Sequence, residues 1–410
     1  MDDTVVTMRA VHDGRVGVAV TNRTSDDGLR ELAARAADAA ERVRADPDFP
    51  GLAQPEEPPA VDGYDEATAA LGPDEQARLA AAAITASGDT PAYGFFTSGV
   101  TELAVVSTTG LLASQQLTDA TVLVLASAEG RSGYASQTAS AVERLDPGAC
   151  AVEAAEKAAR TSGARELEPG VYRAVLEPYA LADLLQYFAW DTFGALGLLE
   201  ERSYLSGRLG ERLFDEKVTL WDDALDPRGL PKAFDFEGVP KQRVTLVEQG
   251  VARGVVWDRR SAKRAGGDAR TTGHAPPVGL QAYGPLPFSL SLAGGEAESL
   301  DELVAAVDDG IYVTRVHYLG IVHPREGVIT GMTRDGTFRI RDGKIAEPLV
   351  NLRFTVAMPD VLADVPALTR AVTLVNQSDF YGERYPIGAL VPAIATGHFN
   401  ITGNGSLPGI

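Results

Sequence analysis

Side chains that bind transition metals are scarce in this sequence. It has one cysteine, Cys150, in 410 residues, which excludes a disulfide framework and any zinc or iron–sulfur site built from several cysteines. The histidines are few and lie far apart, at His12, His274, His317, His323 and His398. The chain also has no Gly-x-Ser-x-Gly nucleophile turn, no P-loop and no His-Glu-x-x-His. The common motifs of hydrolases and nucleotide-binding proteins are therefore missing.

Positive charge and long apolar runs are scarce as well. Asp and Glu number 57 against 37 Lys and Arg, so the net charge is −20. A surface this acidic repels phosphate backbones, and we expect neither nucleic acid nor an anionic membrane as partner. The segment that opens the sequence is acidic and has no apolar run of the kind that targets a chain for export. We therefore expect a cytoplasmic protein.

The length and the 45% hydrophobic share predict a globular chain of two domains, or of three small ones, and the pattern along the chain favours two. The first, 1–165, is predicted to be a mixed α/β domain with antiparallel strands and Ala-rich helices. Turn residues at His12-Asp13-Gly14 predict a hairpin of strands 4–9 and 16–21, and a helix follows with Ser25 or Asp26 as its N-cap. Further helices are predicted from Pro73 and over 147–160, with a meander of short strands over 92–126.

The second predicted domain, 170–410, is mainly antiparallel β. A strand over 171–178 leads into an apolar helix over 180–199, and short strands separated by turn residues follow. Asp342-Gly343 is a strong hairpin signal. Residues 260–284 lack periodicity and predict a long loop. The fold class predicted for the whole chain is α+β.

Several segments carry a resemblance to a known family. They run in that family's order, and Gly331–Phe338 is the most specific of them: Glu201–Gly210, Val218–Asp223, Thr272-Gly273-His274, Gly331–Phe338, Asp342-Gly343-Lys344 and Asn351-Leu352-Arg353. Together they resemble the TldD/PmbA metallopeptidases over essentially the whole chain. The resemblance implies the family's α+β fold. It also suggests that this chain begins late, because family members normally have a helix and a strand before the first hairpin.

The resemblance fails at the catalytic motif. TldD carries His-Glu-x-x-x-His on the helix after the strand that opens the C-terminal domain, with a distant cysteine as a further ligand. That motif holds Zn²⁺ with two imidazoles and supplies a carboxylate that accepts a proton from the zinc-bound water. The equivalent positions here are Gln186, Tyr187 and Asp191, and no cysteine follows them. The resemblance thus implies a chain with no metal site and no catalytic residue of its own.

This departure is typical of the TldE/PmbA subunit, which pairs with TldD. It implies a non-catalytic subunit of a heterodimeric zinc metallopeptidase that processes small or unfolded peptides. The zinc would belong to the TldD-like partner, and this chain would provide dimer surface and cavity wall. Candidate contacts to the peptide are His274, His317, Thr333, Arg334, Asp335 and Arg353. A competing interpretation makes 333–336 a hairpin turn held by an Arg–Asp pair.

Two other functions remain open at this point. The chain could be a stand-alone hydrolase of a small amide or modified peptide, which would require His317, His323 and His398 to converge in space. Alternatively, it could self-associate as a homodimeric peptide-binding module without a partner enzyme.

Overall fold

The computed structural model describes residues 3–378 and 384–408. Its N-terminal part begins with a hairpin packed on a helix and continues with a three-stranded sheet covered by two helices. The helices are α1 (Asp26–Arg42), α2 (Glu66–Ala69), α3 (Pro73–Ala86) and α4 (Pro147–Arg160). The strands are β1 (Val6–His12), β2 (Arg15–Thr21), β3 (Ala92–Val106), β4 (Leu112–Ala128) and β5 (Arg131–Ala139), and the larger sheet has the order β3-β4-β5.

The predicted hairpin and the three predicted helices of this part are present, but the meander of short strands predicted over 92–126 is instead two long strands, β3 and β4, and β5 was not predicted. The Asp13-Gly14 turn has positive φ at both positions, as a type I′ hairpin requires, and Ser25 Oγ caps α1 by accepting a hydrogen bond from the N–H of Gly28. Alanines on α4 allow this helix to lie very close to β5. A Cβ at Gly133 would stand 2.2 Å from the carbonyl oxygen of Ala154, so only glycine fits there.

The C-terminal part has helices of its own and most of the strands. The helices are α5 (Pro178–Thr192), α6 (Ala195–Leu199), α7 (Arg259–Ala265), α8 (Leu300–Val307) and α9 (Met358–Ala363). The strands are β6 (Gly170–Leu176), β7 (Leu220–Asp222), β8 (Val244–Glu248), β9 (Val251–Ala252), β10 (Leu290–Leu292), β11 (Gly310–His323), β12 (Val328–Arg341), β13 (Lys344–Leu349), β14 (Leu352–Ala357), β15 (Ala367–Leu368), β16 (Thr373–Asn376), β17 (Gly388–Val391) and β18 (Ile394–Asn404).

Five of these strands form a closed path of pairings. β11 pairs with β6, β6 with β18, β18 with β14, β14 with β12, and β12 with β11 again. Within this path of five strands, the β6–β11 pair is parallel and the other four are antiparallel. A second sheet has the order β16-β17-β10-β7-β8-β9. The main hydrophobic core joins both sheets to the buried side of α5.

The structure corrects three sequence predictions here. The apolar segment 180–199 forms two helices, α5 and α6, because the chain leaves helical geometry at Phe193-Gly194. The predicted loop 260–284 contains α7, which begins with a capping box between Asp258 and Ser261. Residues 333–336 lie inside β12 and are not a hairpin turn. The turn predicted at Asp342-Gly343 does join β12 to β13.

Within residues 3–378 and 384–408, none of the helices has the length and apolar character needed to cross a membrane.

Candidate functional site

Helix α5 has one buried side and one accessible side. Leu181, Leu184, Leu185 and Phe188 are fully buried in the main core. The other side carries residues at spacings of three and four, which are neighbours on a helix surface: Asp183, Gln186, Tyr187, Trp190 and Asp191. The core therefore fixes the helix and leaves the motif positions on its accessible side.

These motif positions do not fit a zinc ion. Gln186 offers an amide, which is a poor zinc ligand, and the Tyr187 side chain is a phenol whose pKa is raised by desolvation and by Asp183. Asp191 is half-buried and its Oδ1 lies 3.5 Å from a guanidinium nitrogen of Arg202. In the described part of the chain, no three His, Cys, Asp or Glu side chains are grouped so that they could hold a metal.

The histidines of the hydrolase hypothesis are not brought together as a metal site. His317 and His323 both lie on β11, opposite Met332 and Val328 of β12, so they are about 13 Å apart along the sheet, too far for one metal ion. His398 lies on β18, with its Nε2 4.0 Å from Asp360. Cys150 is fully buried, and desolvation raises the pKa of its thiol to about 12, so it is a packed side chain and not a nucleophile.

Strand β11 has a free edge next to α5. On one side it pairs with β12 from Gly310 to His323, whereas on the other side it pairs with β6 only at Ile311–Val313. Among the described residues, the edge from Arg315 to His323 that points away from β12 has no strand partner. A free edge of this kind can accept an extended peptide as an added strand.

A bulge in β12 gathers charged groups at the start of this edge. Asp335 is buried with a left-handed φ of 55°, and its Oδ2 accepts a hydrogen bond of 2.6 Å from Arg315 Nε. The Arg315 guanidinium stacks 4.2 Å from the ring centroid of Tyr134 on β5. Desolvation raises the pKa of Asp183, on α5, to about 7, and Arg315 opposes that shift only in part. Side chains from α5, β5, β11 and β12 therefore influence one another here.

His274 was predicted to contact substrate, but the structure buries it. Its side chain is completely inaccessible, with Nε2 2.8 Å from Asp222 Oδ1 and Nδ1 2.9 Å from the hydroxyl of Thr272. Desolvation and the nearby Lys241 lower the pKa of His274, which favours the neutral imidazole. A histidine enclosed in this way cannot reach a peptide, so its role is structural.

Thr333 is the second correction. It is fully buried, and its Oγ1 accepts hydrogen bonds from the hydroxyl of Thr337 and from the N–H of Leu352. Asp335 is also inaccessible, so it cannot contact a peptide directly; it can only position the arginines with which it forms ion pairs, Arg315 and Arg334. Three of the six predicted contacts remain accessible on the outer side of the sheet: His317, Arg334 and Arg353.

A cavity of about 320 Å³ lies elsewhere, between the β1–β2 hairpin, the connection at 46–50 and α7. Glu237 lines it, with Oε1 bonded to Arg9 and Oε2 buried without a hydrogen-bond partner in the described structure. None of the predicted site residues lines this cavity.

Comparison with known proteins gives the family. The model of the PmbA/TldA metallopeptidase C-terminal domain matches residues 169–403, the central-domain model matches 57–161, and the domain 1 model matches 2–40. The chain belongs to the PmbA/TldD metallopeptidase family. The sequence resemblance is thereby confirmed, as is the α+β fold.

Individual PmbA/TldD relatives match over shorter stretches. An uncharacterized protein of Methanocaldococcus jannaschii is 37% identical over 115 residues, 28% of this chain and 26% of the relative. A metalloprotease of Methanothermobacter thermautotrophicus is 29% identical over 219 residues, 51% of this chain and 45% of the relative. The chain thus spans less than half of either relative. The crystal structure of TldE from Thermococcus kodakarensis has the same fold, with a TM-score of 0.85, 20% identity and coverage of 97% of this chain and 90% of that one.

Sequence reasoning missed the polar groups that fix α5 in this PmbA/TldD fold. Glu177 directly precedes the helix and is buried, where it binds Lys157 Nζ at 2.7 Å and the hydroxyl of Tyr312 at 2.6 Å. It also missed Asp183, one helical turn before the motif positions, and Arg315, whose charge partly opposes the desolvation that raises the pKa of Asp183. These residues come from α4, α5 and β11, and no spacing in the sequence shows that they meet.

Proposed function

We propose that this chain is a non-catalytic, TldE-like subunit that pairs with a zinc-bearing, TldD-like subunit in the cytoplasm. The observation that carries the proposal is the state of α5. The helix keeps its place in the fold, but its motif positions are Gln186, Tyr187 and Asp191, and Asp191 lies beside Arg202.

The chemistry at these positions supports a non-catalytic role. Hydrolysis at a zinc site needs ligands for the ion and a base for its water. The raised pKa of Tyr187 keeps the phenol protonated at neutral pH, so it cannot take over from a carboxylate. On this proposal the zinc and the base both come from the partner.

The free edge of β11 suggests what this chain contributes. An extended peptide that adds to Arg315–His323 would gain main-chain hydrogen bonds, which hold a peptide with little preference for its sequence. Such a wall suits a peptidase that acts on small or unfolded peptides. The role of β11 as peptide wall is part of the proposal.

Co-expression with a homologue that contains His-Glu-x-x-x-His tests the proposal. We expect the two chains to copurify as a heterodimer by size-exclusion chromatography with light scattering, with about one zinc per pair. The separately purified chain should carry no zinc. The proposal fails if the chains do not associate, or if stoichiometric zinc copurifies with this chain alone. A stable dimer of this chain that excludes the homologue would favour the homodimeric module instead.

A further inference from the structure

The outer side of the β11–β12–β14 sheet collects basic side chains in two adjacent rows. Arg315 lies directly opposite Arg334. His317 lies opposite Met332, which in turn lies opposite Arg353. Residues two apart share a face, so the three arginines and the histidine stand together, with strands ~4.8 Å apart and rows ~7 Å apart. We call this surface, Arg315, His317, Arg334 and Arg353, the arginine face.

This arrangement works against folding. Like charges directly opposite each other on paired strands are destabilising. Asp335 is the only acid that forms an ion pair with the face among the described residues, at 2.5 Å from Arg315 and 3.8 Å from Arg334. One carboxylate cannot neutralise both arginines.

Arg353 stands apart from that acid. It is exposed, and it makes no ion pair within residues 3–378 and 384–408. The side chain of Arg334 is 32% exposed. Uncompensated positive charge is thus available to a ligand, on a chain whose net charge is −20. Where a local rule of folding is broken and the described residues compensate for it only in part, a binding role is the usual reason.

The side chains of the arginine face indicate which class of ligand it can bind. Guanidinium groups bind carboxylates and phosphates through paired N–H donors. A long polyanion such as nucleic acid would be repelled by the rest of this acidic chain, whereas a short segment would meet only the local charge. The face also adjoins the free edge of β11, where an extended backbone can pair. A short peptide with carboxylates meets both conditions.

We propose that the arginine face binds carboxylates of an extended peptide, so that the subunit prefers acidic peptide segments. The inference rests on the proposed function, because it takes the β11 edge as peptide wall. The carboxylate can be an acidic side chain or a free C-terminus, and the same chemistry serves both.

Binding to the purified chain tests this preference by fluorescence anisotropy. The probes are a labelled Glu-containing peptide with blocked ends, the same peptide with Gln for Glu, and the Gln peptide with a free C-terminus. The test variant is Arg334→Gln/Arg353→Gln, which leaves the Arg315–Asp335 pair intact. The matched control is Arg35→Gln/Arg42→Gln, which removes the same charge from the exposed side of the remote helix α1.

We expect the Glu peptide to bind more tightly than its Gln counterpart. The test variant should raise the Kd of the Glu peptide about tenfold, as two exposed charge-assisted contacts allow, and the control should leave it unchanged. Tighter binding of the free C-terminus alone would assign the face to a terminal carboxylate.

Equal affinity for all three peptides, no binding of any, or an equal loss in the control would overturn the inference. So would a test variant that binds peptide normally but no longer pairs with the zinc-bearing homologue, since the face would then be a docking surface. If peptide binding depends on these arginines but no heterodimer forms, the proposed function fails, whereas the inference that the arginine face binds carboxylates is supported.

Discussion

Asp183 is the most perturbed carboxylate on the accessible side of α5. Desolvation raises its pKa from 3.8 to about 7, so the folded state holds a proton that the unfolded state releases near pH 4. Between these values the folded protein binds more protons than the unfolded chain. Its free energy of unfolding therefore falls as the pH rises through this window, and this loss of stability reaches its full size above pH 7.

Replacing the Asp183 carboxyl by the neutral amide of Asn should remove this loss of stability at high pH. We expect Asp183→Asn to be more stable than the wild type at pH 8, with a difference that shrinks as the pH falls toward 5. Urea denaturation of both proteins at several pH values measures it, and other titrating groups cancel in the comparison. A difference that does not change with pH would show that Asp183 is ionised in the folded protein across this range.

Asp222 belongs to a buried charge network that also contains His274, Lys241 and Asp235. It accepts hydrogen bonds from His274 Nε2 and from the N–H of Ser289, and its side chain is completely inaccessible. Desolvation would raise the pKa of Asp222, but His274 and Lys241 outweigh it and lower that pKa. The carboxylate is therefore ionised and compensates Lys241.

Removing that charge should leave Lys241 with too little compensation. We expect Asp222→Asn to lower the free energy of unfolding by about 3–5 kcal/mol at pH 7. Asp223→Asn is the matched control and should cost about 1 kcal/mol or less, because Asp223 is partly exposed and caps a turn at Leu225. Chemical denaturation measures both, and equal losses would count against the network.

At the scale of elements, α5 is a helix with one packed side. Phe188 contacts Phe193, Tyr204 and Phe214 with ring centroids 5.8–6.3 Å apart, whereas the neighbouring Tyr187 is 36% exposed. Replacing Phe188 by Ala should cost about 3–5 kcal/mol of stability, and Tyr187→Ala about 1 kcal/mol or less. Thermal and urea unfolding distinguish them. A larger loss for Tyr187→Ala would mean that the motif side of the helix is also packed.

Elements with local signals could be predicted from the sequence. The α1 cap at Ser25, the helix over 147–160 and both Asp-Gly hairpins follow from residues close together in the chain. The break between α5 and α6 could not, because Gly194 is fixed by contacts with distant residues such as Val256 and Pro285. The helix α7 was hidden by the glycines and prolines that follow it.

The candidate site, too, could be predicted from the sequence only where its residues are neighbours in the chain. The degenerate motif on α5 is visible in the sequence because its positions are neighbours in the chain. His274 and Thr333 carry polar groups that suggest binding, but distant partners enclose both of them. Burial of this kind depends on the tertiary fold. The grouping of Arg315, Arg334 and Arg353 depends on strand register, which no local pattern specifies.

At the scale of the whole molecule, charged contacts hold the N-terminal part against the C-terminal part. Arg384 binds Asp119 on β4 through two N–H groups at 2.8 and 2.6 Å, and Lys157 on α4 binds Glu177 at the start of α5. The Lys157–Glu177 pair thus ties α4 of the N-terminal part to the start of α5. Under the proposed function, these contacts would help hold the cavity wall that this chain contributes.

Peptide cleavage by the reconstituted pair tests the central claim most directly. One pair combines the homologue with this chain carrying Gln186→Ala and Tyr187→Phe, and the other combines this chain, unchanged, with a homologue whose motif Glu is replaced by Gln. We predict that the first pair cleaves an unstructured peptide at nearly the wild-type rate and that the second is inactive. Loss of cleavage in the first pair, or full activity in the second, would contradict a non-catalytic role for this chain.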